Sequence, residues 1–160
     1  MIRAFLYAVI ATIVIVQLSC APAGYQKTAA DTEQPVTLAM ATQTWQQSSA
    51  SALPAINDLM NQADAQIAQR NLAVAAEKLE RALRISPEYA PAWSRMAYIA
   101  LSNADPARAI QMAKRSNSHA GKSVDLKLLN WAYIRKASHM LGDVEGVQNA
   151  NKSINILRSL

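Results

Sequence analysis

A spacing of 34 residues recurs through the middle of this 160-residue chain and constrains its fold more than any other feature. The matched positions are Leu59 and Trp93, Ala63 and Ala97, Asn71 and Asp105, and Ala75 and Ala109. Self-similarity at such a period marks one supersecondary unit repeated, each copy burying its apolar face only by stacking on the next. Within the copies, apolar residues fall at helical spacing. Ile56, Leu59, Met60, Ala63 and Ile67 share one face, and Leu72, Ala75, Ala76, Leu79 and Leu83 share another after a break near Arg70 and Asn71. Ser86-Pro87 closes that pair. A third helix is expected from about Pro91 to Leu101, and Asp105-Pro106 opens the fourth with a cap followed by proline.

The remainder departs from the period. A fifth helix is expected over Val124 to Leu141 behind Ser123, Gly142-Asp143 breaks it, and a sixth runs from Val144 to Leu157. Asp105 and Asp143 stand 38 residues apart, so the first helix of the third unit is about one turn longer. Leu128, Ala132, Val147 and Ile154 are the expected packing positions there. The fold class is all-α: helical hairpins, about three pairs, divided as 54–87, 88–121 and a divergent 122–160. A plain irregular bundle of helices is the alternative. Small residues let paired helices approach closely while Leu59, Leu79, Leu83, Trp93 and Ile110 fill the space between, so Trp93 and Trp131 read as core.

In the first unit a large apolar residue, a small one four later, and spaced small or apolar residues before a proline are Leu59, Ala63, Ala75, Leu79, Ala82 and Pro87. In the second they are Trp93, Ala97, Ala109, Ala113 and Ser116, with Gly121 in the place of proline. This pattern resembles the tetratricopeptide repeat. The resemblance implies a short right-handed superhelix whose concave face, lined by the first helix of each pair, binds a protein partner. Carried onto this sequence, the candidate partner-binding positions are Asn57, Met60, Asp64 and Ile67, then Ser94, Tyr98 and Leu101, then Leu129, Tyr133 and Lys136. Tyr98 and Tyr133 are the preferred anchors, because tyrosine joins rigid apolar area to a hydrogen-bonding tip. The other reading of each is a half-buried tyrosine serving its own fold.

Ahead of the repeats, Arg3 and the apolar run Phe5 to Val16 have the form of a secretion signal, too short for a membrane span of ~20 residues. Ser19-Cys20 resembles the lipobox of bacterial lipoproteins, in which the chain is cut before a cysteine that carries lipid. Gln17 and Leu18 stand where that motif usually has an apolar and a small residue. Residues 1–19 then form the signal peptide and Cys20 the lipidation site, with an uncleaved anchor or an ordinary cleaved leader as alternatives. Cys20 is the only cysteine, so an exported chain has no disulfide to make and lipid would cover a loose thiol. Ala21-Pro22, with no Asp at the second mature position, matches outer-membrane sorting in that lipoprotein class, facing the periplasm. Residues 20–53 carry few charges and no persistent apolar period, and read as a flexible spacer able to reach ~100 Å when extended. Trp45 stands out within it, as a cap on the first helix or as a partner contact.

Chemistry is thin. The region from Pro54 onward holds fourteen Lys and Arg against nine Asp and Glu. Arg84, Arg95, Lys114, Arg115, Arg135 and Lys136 offer a weak basic field toward an acidic partner, or simply a solvated surface of mixed sign. Scattered in this way, they do not suit nucleic acid. His119 and His139 are isolated, and the sequence has no Cys pair, no H-E-x-x-H, no Gly-rich phosphate loop and no G-x-S-x-G element. No catalytic residue, metal or cofactor is expected, and the chain reads as a non-enzyme.

The stretches Leu79 to Ser118 and Leu128 to Asp143, with R-S-N-S at Arg115 to Ser118 and the pair Asn130-Trp131, resemble a subgroup of these repeat proteins. That subgroup is the small outer-membrane lipoproteins of gammaproteobacteria that activate a class A penicillin-binding protein, the type 1B peptidoglycan synthase. The resemblance implies a synthase partner met close to peptidoglycan. A pilotin or assembly lipoprotein for a secretin or pilus is the competing reading, and a structural link between envelope layers a third.

Overall fold

The computed structural model describes residues 36–49 and 53–160. These form seven helices and no strand among the described residues. They are α1 (Leu38–Ser48), α2 (Pro54–Ala68), α3 (Leu72–Ile85), α4 (Ala90–Ser102), α5 (Pro106–His119), α6 (Val124–Met140) and α7 (Val144–Arg158). Three antiparallel pairs, α2–α3, α4–α5 and α6–α7, stack in chain order.

One backbone device makes all three hairpins. The amide of Asn71 donates to the carbonyl of Gln66 at 2.9 Å and that of Arg70 to Ile67 at 3.0 Å. The same two bonds recur at Asp105 and Ala104, and again at Asp143 and Gly142. This is the Schellman ending, which places one residue in the left-handed region. Arg70 (φ 62°), Ala104 (φ 55°) and Gly142 (φ 69°) occupy it. The next residue at once begins the second helix: Asp105 accepts from the Arg108 amide at 3.1 Å and Asp143 from the Gly146 amide at 2.8 Å. Non-glycine residues pay roughly 1–2 kcal/mol in the left-handed region. Ala104→Gly is therefore expected to raise stability, by about 0.5–1 kcal/mol once the extra freedom of glycine in the unfolded chain is subtracted. Urea denaturation of the two chains checks the sign.

Packing follows the small residues. Ala63, Ala75, Ala82, Ala97, Ala109 and Ala113 are fully buried, as is Leu79. The second pair meets the third through polar groups. The Ser116 hydroxyl donates to the Ala90 carbonyl at 2.8 Å, and Asn130 Nδ2 donates to Ser116 Oγ at 2.8 Å and to Asn117 Oδ1 at 2.9 Å. Trp93 is half-buried, its Nε1 donating to the Pro87 carbonyl at 2.7 Å and its face covered by Arg115 at 4.4 Å. Trp131 packs half-buried against the core.

In the third pair the expected packing positions shift. Leu128, Ala132 and Val147 are only half-buried, while Leu129, Tyr133, Ala137, Ala150 and Ile154 are buried. Gly146 sits so close to the Asp143 carboxylate and the Ser138 hydroxyl that a Cβ there would collide with both. α6, at 17 residues, is four longer than α4.

Residues 38–48 also differ from the expected spacer, for they form α1. Thr37 caps it, its hydroxyl accepting from the Met40 amide at 3.3 Å. Only Ala41 and Trp45, one turn apart, are buried, which is too narrow a stripe to register as a helical period. An 11-residue helix is not stable alone, and its order comes from packing on α4 and α6. The leader and Cys20 lie outside the described residues.

Candidate functional site

The first helices of the last two pairs, α4 and α6, hold α1 between them and the outside. Trp45 is fully buried there. Its Nε1 donates to Ser94 Oγ at 3.0 Å, the Arg95 guanidinium lies 4.8 Å over its ring, and Tyr98 meets it edge-on at 5.5 Å. Tyr98 in turn stands 6.3 Å from Tyr133. Ser94, Tyr98 and Tyr133 thus come together as the floor of a groove, and α1 occupies it.

Arg95 is the charged centre of this site. It is 1% exposed and holds Asp64 with two parallel bonds, Nε to Oδ1 at 2.6 Å and Nη2 to Oδ2 at 2.8 Å. Its Nη1 donates to the Pro91 carbonyl at 3.1 Å. The pair bridges α2 to α4. Asp64 is therefore consumed by the fold, and Arg95 contributes nothing to a basic surface field. Arg84, Lys114, Arg115 and Lys136 are exposed, whereas burial together with nearby Arg158 pushes the half-buried Arg135 down from its usual pKa.

Tyr133, beside Tyr98, is buried as well. Burial, reinforced by Tyr98 and only partly opposed by Arg95, raises its phenol well above the ordinary tyrosine value. Among the described residues the hydroxyl has no hydrogen-bond partner. A buried polar group left in this way costs about 1–3 kcal/mol.

The other expected groove positions divide. Met60, Ile67, Leu101 and Leu129 are buried and act as packing groups. Asn57 is half-buried and Lys136 exposed. Asn57, Met60, Asn61, Asp64 and Arg95, with Gln46 and Ser49 at the end of α1, line an open cleft of about 330 Å³. Sequence reasoning had no means of finding the Asp64–Arg95 pair, which joins neighbouring units without following the 34-residue spacing. Ser116, Asn117 and Asn130 are accounted for by the bonds that join α4, α5 and α6. Among the described residues no three His, Cys, Asp or Glu gather as a metal site, and no helix is long and apolar enough to cross a membrane.

The profile of the tetratricopeptide repeat family matches residues 66–129, from the end of α2 into α6. With the stacked helical hairpins, this identifies an all-α tetratricopeptide-repeat fold. Such repeats are scaffolds for protein–protein contact, a fold that typically carries no catalysis. No curated protein and no solved structure matches the chain significantly.

Proposed function

We propose that the protein is a lipid-anchored envelope adaptor that holds a class A penicillin-binding protein on its repeat domain and favours the active state of that peptidoglycan synthase. The observation that carries the protein-binding part is the groove itself, whose seat accepts a helix with a buried tryptophan. The envelope part is supported by the order of segments: an apolar leader, Ser19-Cys20, a spacer, then repeats. The synthase is supported by the resemblance of the repeat region to activator lipoproteins. Lipid at Cys20 would fix the chain to the outer membrane, and the residues before α1 would carry the repeats toward the synthase. Activation requires the adaptor to bind the active arrangement of the synthase more tightly than the inactive one, since equal affinity for both shifts nothing.

Purified full chain mixed with purified synthase tests this. The expected result is co-purification together with a glycan-polymerisation rate raised at least twofold. No binding and an unchanged rate would overturn it, as would recovery of a secretin or pilus subunit in place of the synthase from detergent-solubilised membranes.

A further inference from the structure

The contacts of α1 are those of a docked ligand more than those of a framework helix. It buries two side chains, Ala41 and Trp45, and has no acidic residue in its first turn and no basic residue in its last. Helices of this length do not persist without their docking surface. The floor of its seat is also imperfectly satisfied, for the buried Tyr133 hydroxyl has no partner among the described residues. An open cleft of about 330 Å³ beside Asn61 and Asp64 adjoins the end of α1 at Gln46 and Ser49.

We infer that α1 is a resident but displaceable occupant, and that the groove receives a short helix from a partner protein in its place. That helix presents a small residue and, four positions later, a tryptophan on an uncharged face, the pattern that Ala41 and Trp45 set. This deepens the adaptor reading and rests on it only in taking the repeat domain to bind protein; it does not depend on the partner being a synthase. The incoming indole takes the place of Trp45 against Ser94, Arg95 and Tyr98. A segment that extends into the cleft, or brings a hydrogen-bonding group to Tyr133, gains contacts that α1 lacks. The competition is intramolecular, because residues 49–53 alone join α1 to α2 and keep it at an effective concentration on the order of millimolar. A partner therefore binds with an affinity reduced by the fraction of time the groove stands open.

A labelled peptide of residues 36–49 titrated into the full chain tests this. Trp45→Ala and Ala41→Glu each weaken the hold of α1 without altering the groove walls, and both are expected to bind the peptide at least tenfold more tightly than the wild-type chain. A peptide carrying Trp45→Ala is expected not to bind. Equal affinity for wild type and for a variant that keeps its helical circular dichroism would overturn the inference. If both variants fail to fold, hydrogen exchange on the wild type decides. Saturating peptide is expected to expose amides 38–48, and unchanged protection there would overturn displacement. No synthase is present in these measurements. Failure of the synthase to bind would sink the partner assignment alone, and failure of the peptide would sink the displacement alone.

Discussion

Asp64→Ala is expected to destabilise the repeat domain by about 3 kcal/mol, far more than a carboxylate that is 18% exposed would ordinarily cost. The loss arises on the other side of the pair. Arg95 is 1% exposed, so removal of Asp64 strands a buried guanidinium that keeps, among the described residues, the Pro91 carbonyl and the Trp45 face. The reverse substitution is milder. Arg95→Met keeps much of the buried volume and leaves Asp64 at the edge of an open cleft, where water can reach it. Its expected cost is about 1–2 kcal/mol, part of it the lost contact with the indole. Combining the two should recover stability relative to Asp64→Ala alone, because no uncompensated charge then remains buried. Urea denaturation of the four chains as a double-mutant cycle reads the asymmetry directly. Equal losses for the two single variants would mean that the guanidinium is hydrated in solution and that the bridge is a surface pair.

The repeat spacing exposed what depends on local geometry and concealed what depends on stacking. Ala63 and Ala97 announced themselves because each must sit where two helices touch, and Asn71 and Asp105 because each begins a helix directly after a Schellman turn. Such requirements recur in every unit and so appear as a period. The Asp64–Arg95 pair has no such recurrence. Its partners lie on helices brought together by the superposition of one pair on the next, and nothing in either local segment forces them to meet. The small polar residues 116, 117 and 130 were equally opaque: in sequence they looked like a family mark, whereas in the fold they tie α4, α5 and α6 together.

The expected groove residues show a related effect. Family positions pointed to the first helices, and Ser94, Tyr98 and Tyr133 do converge. In the folded chain Ser94 and Tyr133 are buried, and a helix from the chain itself lies against Ser94 and Tyr98. The residues of α1 read as spacer since only Ala41 and Trp45 are buried, with Leu38 half-buried against the core, and so short a stripe leaves little periodicity to detect. Within the adaptor reading, docking of α1 withdraws residues 38–48 from the spacer, so the same contact that closes the groove shortens the reach from the membrane.

Trp45→Ala should separate this helix from the rest. Truncating a buried tryptophan costs about 3–5 kcal/mol where the surroundings stay in place. Here the chain has an escape, because α1 can leave while the three pairs stay folded. The loss of global stability is then capped at the free energy with which α1 docks. An expected value near 3 kcal/mol follows, with amides 38–48 losing protection and those of α3 and α5 keeping theirs. Leu79→Ala, in the core of the repeats with no such escape, should instead lower protection throughout. Tyr133 supplies an independent readout. Its burial raises the pKa of the folded state above the ordinary 10.0. Below that value the phenol is neutral in folded and unfolded chains alike; above it the unfolded chain releases the proton first, and stability falls as pH rises. The wild type should show this added alkaline loss and one late-titrating tyrosine by ultraviolet difference spectra. With α1 released, Tyr133 gains access to water and both signatures should weaken. A Trp45→Ala chain that retained the late titration would mean that α6 and α4 bury Tyr133 without help, and that α1 is a lid over a core already closed.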